Sequence, residues 1–302
     1  VKRDYEYGFI DGSIVLSRNF YAMKPLLSRE DVGPEKLVAS VLQSIFKIAR
    51  EKLNCERYFI LWDKKPYFKT SYLIQDTGKS EYKTDRRKES EYLVKKMGNA
   101  KYLLLCEAGN IGLTSIQFKG WEADDLAYLA SCQCVGRDKK SVLISFDSDW
   151  ESWLGPNTDY YNLRRDEVTT FDQAMRWHKP IQGYSVFQSK AFRDSMRGSH
   201  NNLKQTLKSE YKSVPSIDII KAFERGDYHH FSDVELFKAQ LRTFDITSYP
   251  DYENVSQYLK SAERDGTLLD LDGFRIVRER MHVRPNQLST KLYLSFMQNL
   301  NP

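Results

Sequence analysis

Three apolar runs in the first half of the chain each end on a carboxylate: Tyr7-Gly8-Phe9-Ile10-Asp11, Tyr58-Phe59-Ile60-Leu61-Trp62-Asp63 and Ser141-Val142-Leu143-Ile144-Ser145-Phe146-Asp147. Short continuous runs rich in aromatic and β-branched residues predict strands buried on both faces. Between the first two, Gly33-Pro34 opens a stretch in which Leu37, Val38, Val41, Leu42, Ile45, Phe46 and Ala49 recur at helical spacing, so a helix is expected there. Strand, helix and strand in that order imply a parallel sheet with right-handed crossovers. Ligands of such sheets gather outside the carboxyl ends of the strands, which is where these aspartates fall.

Ahead of the third run, Trp121 leads into Glu122-Ala123-Asp124-Asp125-Leu126, a helix start with carboxylates in its first turn. The helix dipole favours acids at that end, so capping is a sufficient reason for one of them but not for three. Farther on, periodicity predicts helices over 169–177, 188–196, 216–225 and 234–242, then helical pieces and a short strand at 276–280 within the last fifty residues. The pattern describes an α/β fold, a central mostly parallel sheet flanked by helices, followed by a mainly helical C-terminal part.

Composition narrows the class. A chain of 302 residues with 41% hydrophobic content can bury roughly 75% of its unfolded surface without disulfide or metal staples. Cys55, Cys106, Cys132 and Cys134 have neither zinc-site spacing nor disulfide density, and are expected to be reduced thiols of a cytoplasmic protein, with Cys132 and Cys134 in a core-facing helix. No apolar run approaches the ~20 residues of a spanning helix and the first residues carry no signal-peptide pattern, so no membrane partner is expected. A formal charge of +5 is only mildly basic, but its distribution is uneven. Residues 64–101 hold eleven Lys or Arg against five Asp or Glu, interleaved with Tyr67, Phe68, Tyr72, Tyr82 and Tyr92. Such a run suits a phosphate backbone and unstacked bases, and equally suits a solvated helix face. His200, His229 and His230 lack partner cysteines and are assigned to surface or packing roles, while Trp121, Trp150 and Trp153 are expected to seal the core under the acidic edge.

The architecture sends Asp11, Asp63, Glu122, Asp124, Asp125, Asp147 and Asp149 to one edge. Seven acids in a small volume cannot all stay ionised without cations, because each raises the cost of ionising the next. Hard divalent ions with oxygen ligands relieve this, and a pair of them can activate water and stabilise the leaving oxygen of a phosphodiester.

Phe9-Ile10-Asp11-Gly12-Ser13, Leu61-Trp62-Asp63-Lys64, Glu81-Tyr82-Lys83-Thr84-Asp85-Arg86-Arg87, Trp121-Glu122-Ala123-Asp124-Asp125 and Ile144-Ser145-Phe146-Asp147-Ser148-Asp149-Trp150 together resemble the successive motifs of the 5′-nuclease superfamily, above all its bacteriophage flap endonucleases and phage RNase H enzymes. The resemblance covers residues 7–154. It implies a PIN-like catalytic domain over 1–180 with a basic helical arch at about 64–101, and a DNA-binding helical region over 181–302. It further implies a 5′-3′ exonuclease or flap endonuclease of replication or repair, acting in a cytoplasm, that of the host if phage-encoded. The substrates would be DNA with 5′ flaps or RNA–DNA hybrids, the cofactor Mg²⁺ or Mn²⁺, and the further partners single-stranded-DNA-binding or other replication proteins. By the same resemblance Asp11, Glu122, Asp124, Asp147 and Asp149 serve the first metal, Asp63 assists, and Asp125 faces the second. Lys83 and Arg86 would offset charge at the scissile phosphate. Tyr82, Lys83, Arg86, Arg87, Arg197, Lys204 and Lys208 would contact nucleic acid.

The chain also departs from the family pattern. Where two further acids of a Gly-Asp-x-x-Asp-Asn element are expected, it reads Met196-Arg197-Gly198-Ser199-His200-Asn201-Asn202-Leu203, and a lysine-bearing segment at 204–212 replaces the glycine-rich turn that follows. A weak second metal site is therefore expected. The alternative is a DNA-binding or assembly protein that keeps the nuclease fold with impaired or absent catalysis. An RNA-cleaving PIN domain is usually far shorter, and a phosphomonoesterase using Asp147 as nucleophile leaves Asp11, Glu122 and the basic stretch unexplained.

Overall fold

The computed structural model describes residues 3–64, 69, 90–198 and 203–266. Two compact units emerge, one made of Val1–Leu61, Lys88–Ile116 and Ala262–Pro302, the other of Trp62–Arg87 and Gln117–Ser261. The fold class is the expected one, α/β with mixed, mostly parallel strands flanked by helices.

In the first unit β1 (Arg3–Asp11), β2 (Leu53–Leu61) and β3 (Leu113–Ile116) run parallel with β2 in the middle, in a register that sets Asp11 opposite Leu61 and Leu61 opposite Ile116. Phe9 and Phe59 stack at 5.2 Å across that register. Each apolar run therefore delivers its terminal acid to the carboxyl end of a strand.

Two helices, not one, join β1 to β2: α1 (Gly12–Leu27) and α2 (Glu35–Lys47), the latter continued by a π-turn over Ile48–Lys52. The pattern from Leu37 to Ile45 predicted α2. It missed α1, whose buried positions Val15, Leu16, Phe20 and Leu27 alternate with polar residues and whose last turn contains Pro25. A polar lock joins the pair: buried Asn19 donates to the Val15 carbonyl at 2.9 Å and accepts from Ser40 at 2.7 Å and Ser44 at 3.1 Å.

Next comes α3 (Glu91–Glu107), started by Ser90, whose hydroxyl accepts from the Leu93 amide. Its first half lies within the stretch read as a basic arch. Lys96, one of the cations counted there, is 8% exposed and donates to the carbonyls of Leu27 at 2.8 Å, Arg29 at 2.7 Å and Val32 at 2.5 Å. It ties α3 to the α1–α2 connection and does not offer its charge to phosphate. Most of the expected arch and the expected strand at 276–280 lie outside the described residues.

The second unit contains α4 (Ala123–Gly136), β4 (Ser141–Ser145), β5 (Thr158–Asn162), parallel to β4, and β6 (Glu167–Thr169), antiparallel to β5. Every residue of β4 is buried. The four helices predicted beyond residue 158 appear as α5 (Phe171–His178), α6 (Val186–Arg197), α7 (Ser216–Glu224) and α8 (Val234–Arg242). Reciprocal caps explain two of the starts, Thr170 with Gln173 and Ser185 with Gln188, each satisfying two otherwise orphaned amides. A later helix, α9 (Tyr252–Asp265), lies in the tail where helical pieces were expected. Met196, Leu207, Ile219, Phe231 and Phe237 form the apolar cluster beneath α6 to α8.

Trp121, Trp150 and Trp153 are buried, as expected. Cys134 is buried but Cys132 is exposed, so only one of the two reaches the core. His229 and His230 occupy a turn with their rings 3.7 Å apart, rather than diverging as they would on a helix. Among the described residues no helix is long and apolar enough to cross a membrane.

Candidate metal and phosphate site

The start of α4 is built by hydrogen bonds from the segment that follows β2. The Asp63 carboxylate accepts from the Ala123 amide at 2.9 Å, and the Lys64 amide donates to the Trp121 carbonyl at 2.9 Å. Asp125 turns back on the same helix start and accepts from the Glu122 amide at 3.1 Å. Two of the acids thus cap the helix, which is the ordinary use of carboxylates there.

Glu122 and Asp125 are 4% and 7% exposed, and between them lies Lys69. Its Nζ stands 2.8 Å from Glu122 Oε2 and 2.8 Å from Asp125 Oδ1, and 5.7 Å from the ring centre of Tyr249. The Tyr249 hydroxyl reaches 3.5 Å from Asp125 Oδ1, and its ring packs edge-on to Trp121 at 5.2 Å. Burial, opposed by Lys69 and reinforced by the Glu122 charge, raises the pKa of Asp125.

The other acids of this unit each have protein donors. Asp124 accepts from the indole of Trp150 at 2.9 Å. Asp147 caps the short 3-10 turn over Ser148–Trp153 by accepting from the Asp149 amide at 3.0 Å, and its own carbonyl accepts from the Tyr160 hydroxyl at 3.0 Å. Asp149 is half exposed and faces Lys190 at 3.4 Å, which in turn pairs with Asp194 at 2.5 Å, one turn along α6. Burial works against the Lys190 charge, but Asp149 and Asp194 more than offset it, and the ammonium titrates above the usual lysine range. Asp11 belongs to the first unit, where it is 3% exposed and caps α1 by accepting from the Ile14 amide at 2.9 Å.

Lys69, Tyr249 and Lys190 are the partners that the sequence pattern did not single out for this site. Lys190 and Asp194 carried a usable signal, a charge pair at helical i,i+4 spacing. Lys69 was one cation among eleven, and nothing in the sequence distinguishes it. Tyr249 carried no signal.

Of the residues expected on nucleic acid, Tyr82, Lys83, Arg86 and Arg87 lie outside the described residues. Arg197 and Lys204 are exposed and Lys208 is half-buried. The connection they occupy is held by Gln240, which donates to the carbonyls of Ser195 at 3.0 Å and Lys204 at 2.9 Å and accepts from the Lys204 amide at 2.6 Å. Gly198 there has φ +77°, and a β-carbon on it would stand 2.8 Å from the Leu203 carbonyl oxygen. The missing acid cannot be restored at that position without strain.

As a donor set, these carboxylate oxygens suit a hard divalent cation. Among the described residues, however, no three His, Cys, Asp or Glu side chains are gathered in a metal-holding group. The acids of the second unit are instead parcelled out to the Ala123 amide, the Trp150 indole and two ammonium groups.

A family model described as the 5′-3′ exonuclease, N-terminal resolvase-like domain, matches residues 6–180. DNA polymerase I of Rhizobium leguminosarum is 26% identical over 183 residues, which make up 57% of this chain and 17% of that protein. The chain therefore spans only a small part of that curated relative. Among solved structures, a bacteriophage T5 protein crystallised with metal ions aligns with TM-score 0.55 at 14% identity, over 92% of this chain and 98% of that chain. T5 5′-exonuclease with bound zinc aligns with TM-score 0.53 at 15% identity, over 94% and 100%. A T5 flap endonuclease complexed with DNA and metal ions aligns with TM-score 0.52 at 14% identity, over 92% and 98%. At these identities the likeness is one of fold.

Proposed function

The chain belongs to the 5′-3′ exonuclease family, through its N-terminal resolvase-like domain, and on that footing we propose that it is a divalent-metal-dependent nuclease hydrolysing phosphodiesters near the 5′ ends of flapped or RNA-primed DNA. The observation that carries the reading is the delivery of Asp11, Asp63 and Asp147 to the carboxyl ends of strands, within the span that the family model matches. The T5 relatives crystallised with metal ions and DNA support it. In this reading Glu122, Asp124, Asp125, Asp147 and Asp149 hold Mg²⁺ or Mn²⁺, and Asp63 fixes the start of the helix that presents three of them. When bound, the metal supplies an activated water and charge stabilisation at the phosphate.

The chain's own residues perform the rest. Trp150 orients Asp124 through its indole, and Tyr160 steadies the backbone of Asp147. Lys83 and Arg86 neutralise the charge that grows on the phosphate, while Tyr82, Arg87, Arg197, Lys204 and Lys208 position the strand. Residues 1–180 form the catalytic part and 181–302 a mainly helical DNA-binding part, a division supported by the end of the family match at residue 180.

The test is a substrate panel: purified protein with Mg²⁺, or with EDTA, given a 5′ flap, a nicked duplex and an RNA-primed duplex. Metal-dependent release of short 5′ products is expected. Intact DNA binding with no cleavage of any substrate in Mg²⁺ or Mn²⁺ would favour a nuclease fold retained for binding alone, a reading that rests on the two acids missing between Met196 and Leu203.

A further inference from the structure

We propose that Lys69 is an exchangeable internal cation, whose ammonium holds the Glu122–Asp125 pair until a divalent ion displaces it. This rests on the metal-dependent reading above and adds to it a residue that competes with the metal.

Three observations carry the idea. Lys69 Nζ bridges one oxygen of each acid at 2.8 Å, so it occupies the point between them where a shared cation would sit. The group is shut off from solvent, with side chains 7%, 5% and 8% exposed for Lys69, Glu122 and Asp125. Its formal charge is one positive against two negative, so neutrality is not reached by the lysine alone.

A magnesium or manganese ion bonds carboxylate oxygens at about 2.0–2.2 Å and carries twice the charge. Bound to these same oxygens, it would lie within a few ångströms of the ammonium, and in a water-poor setting that repulsion is weakly screened. The two cations therefore exclude one another, and the lysine must swing out as the metal enters. Apo stability and weak metal affinity follow from the same contact. Paired acids without a cation are costly to bury, and the lysine supplies one at the expense of the metal's binding energy.

Lys190 makes a similar bridge between Asp149 and Asp194, but there Asp149 is half exposed. Water can screen that pair, and no such competition is assigned to it.

The experiment is calorimetric titration of Mn²⁺ into the full chain without nucleic acid, for the parent, Lys69→Gln and Lys69→Arg, with thermal unfolding followed at each Mn²⁺ concentration. Lys69→Gln is expected to bind Mn²⁺ at least tenfold more tightly than the parent, and its midpoint to rise more on adding Mn²⁺. Lys69→Arg, which keeps the charge, is expected to bind no more tightly than the parent. Should Lys69→Gln fail to fold alone, Mn²⁺ is expected to restore its far-ultraviolet dichroism, and failure to do so would overturn the proposal. Equal affinity and equal thermal response in parent and Lys69→Gln would also overturn it, while leaving the metal reading intact. No Mn²⁺ binding by any of the three would remove both.

Discussion

Replacing Lys96 by methionine is expected to lower stability by about 2 kcal/mol while leaving nucleic-acid affinity unchanged. The ammonium donates to three carbonyls, those of Leu27, Arg29 and Val32, at 2.5–2.8 Å, and lies 4.3 Å from the Tyr92 ring centre. Charge-assisted hydrogen bonds contribute roughly 1.5–3 kcal/mol each, but burying an ammonium costs several kcal/mol, which offsets much of their sum. Methionine keeps most of the aliphatic stem in place. What remains is the penalty of the Leu27 and Val32 carbonyl oxygens without a donor, at the lower end about 1 kcal/mol each, because the Arg29 carbonyl still accepts from the Tyr92 hydroxyl at 3.2 Å.

In a chain of this size that corresponds to a fall in midpoint of roughly 3 °C. Thermal and urea melts of parent and Lys96→Met measure it. The DNA affinity and the slope of its logarithm against salt are measured alongside, because losing one phosphate contact would change that slope by about 0.9. A midpoint and urea transition unchanged from the parent, or a slope reduced by about one, would refute the assignment of Lys96 to the fold.

Other outcomes follow from single contacts. Trp150→Phe removes the indole donor to Asp124 and is expected to cost about 2 kcal/mol by urea unfolding, with a weaker Mn²⁺ affinity by calorimetry. Gly198→Asp, intended to restore a missing acid, is expected to destabilise by roughly 1–3 kcal/mol, because of the positive φ and the 2.8 Å approach to the Leu203 carbonyl. It should not lower the magnesium requirement of cleavage. Burial, and then the neighbouring His229 charge, lower the His230 pKa below its usual 6.5, so the folded state favours the neutral ring. The stability this brings is complete above pH 6.5 and is lost as pH falls through the lower folded value. His230→Phe should therefore show a smaller loss of midpoint between pH 7 and pH 5 than the parent.

The strands and their acids were legible because uninterrupted apolar runs ending in Asp leave little choice of state, and the helices after residue 158 because their caps and apolar spacing agree. Helix α1 escaped since a buried Asn19 and Pro25 break its apolar stripe, and the asparagine makes sense only once Ser40 and Ser44 are in place. Within the candidate site, the acids could be read from the chain but their partners could not. A lysine 53 residues from Glu122 and a tyrosine 124 residues from Asp125 meet those acids through tertiary folding alone. The basic run at 64–101 shows the limit of counting charges. Lys69 and Lys96 belong to it by composition, yet both are buried and engaged with the protein itself.

If these strand-end carboxylates hold the catalytic metal, single-turnover cleavage of a 5′-flap substrate by parent and Asp147→Asn across a Mg²⁺ titration will show it. The parent should cut only with the divalent ion present. Asp147→Asn should cut at least a hundredfold more slowly, with an unfolding midpoint equal to or above the parent's in the absence of metal, since one charge of a crowded anionic edge is gone. Parental cleavage rates in Asp147→Asn, or undiminished cleavage by the parent in EDTA, would rule out metal binding by these carboxylates as the basis of cleavage.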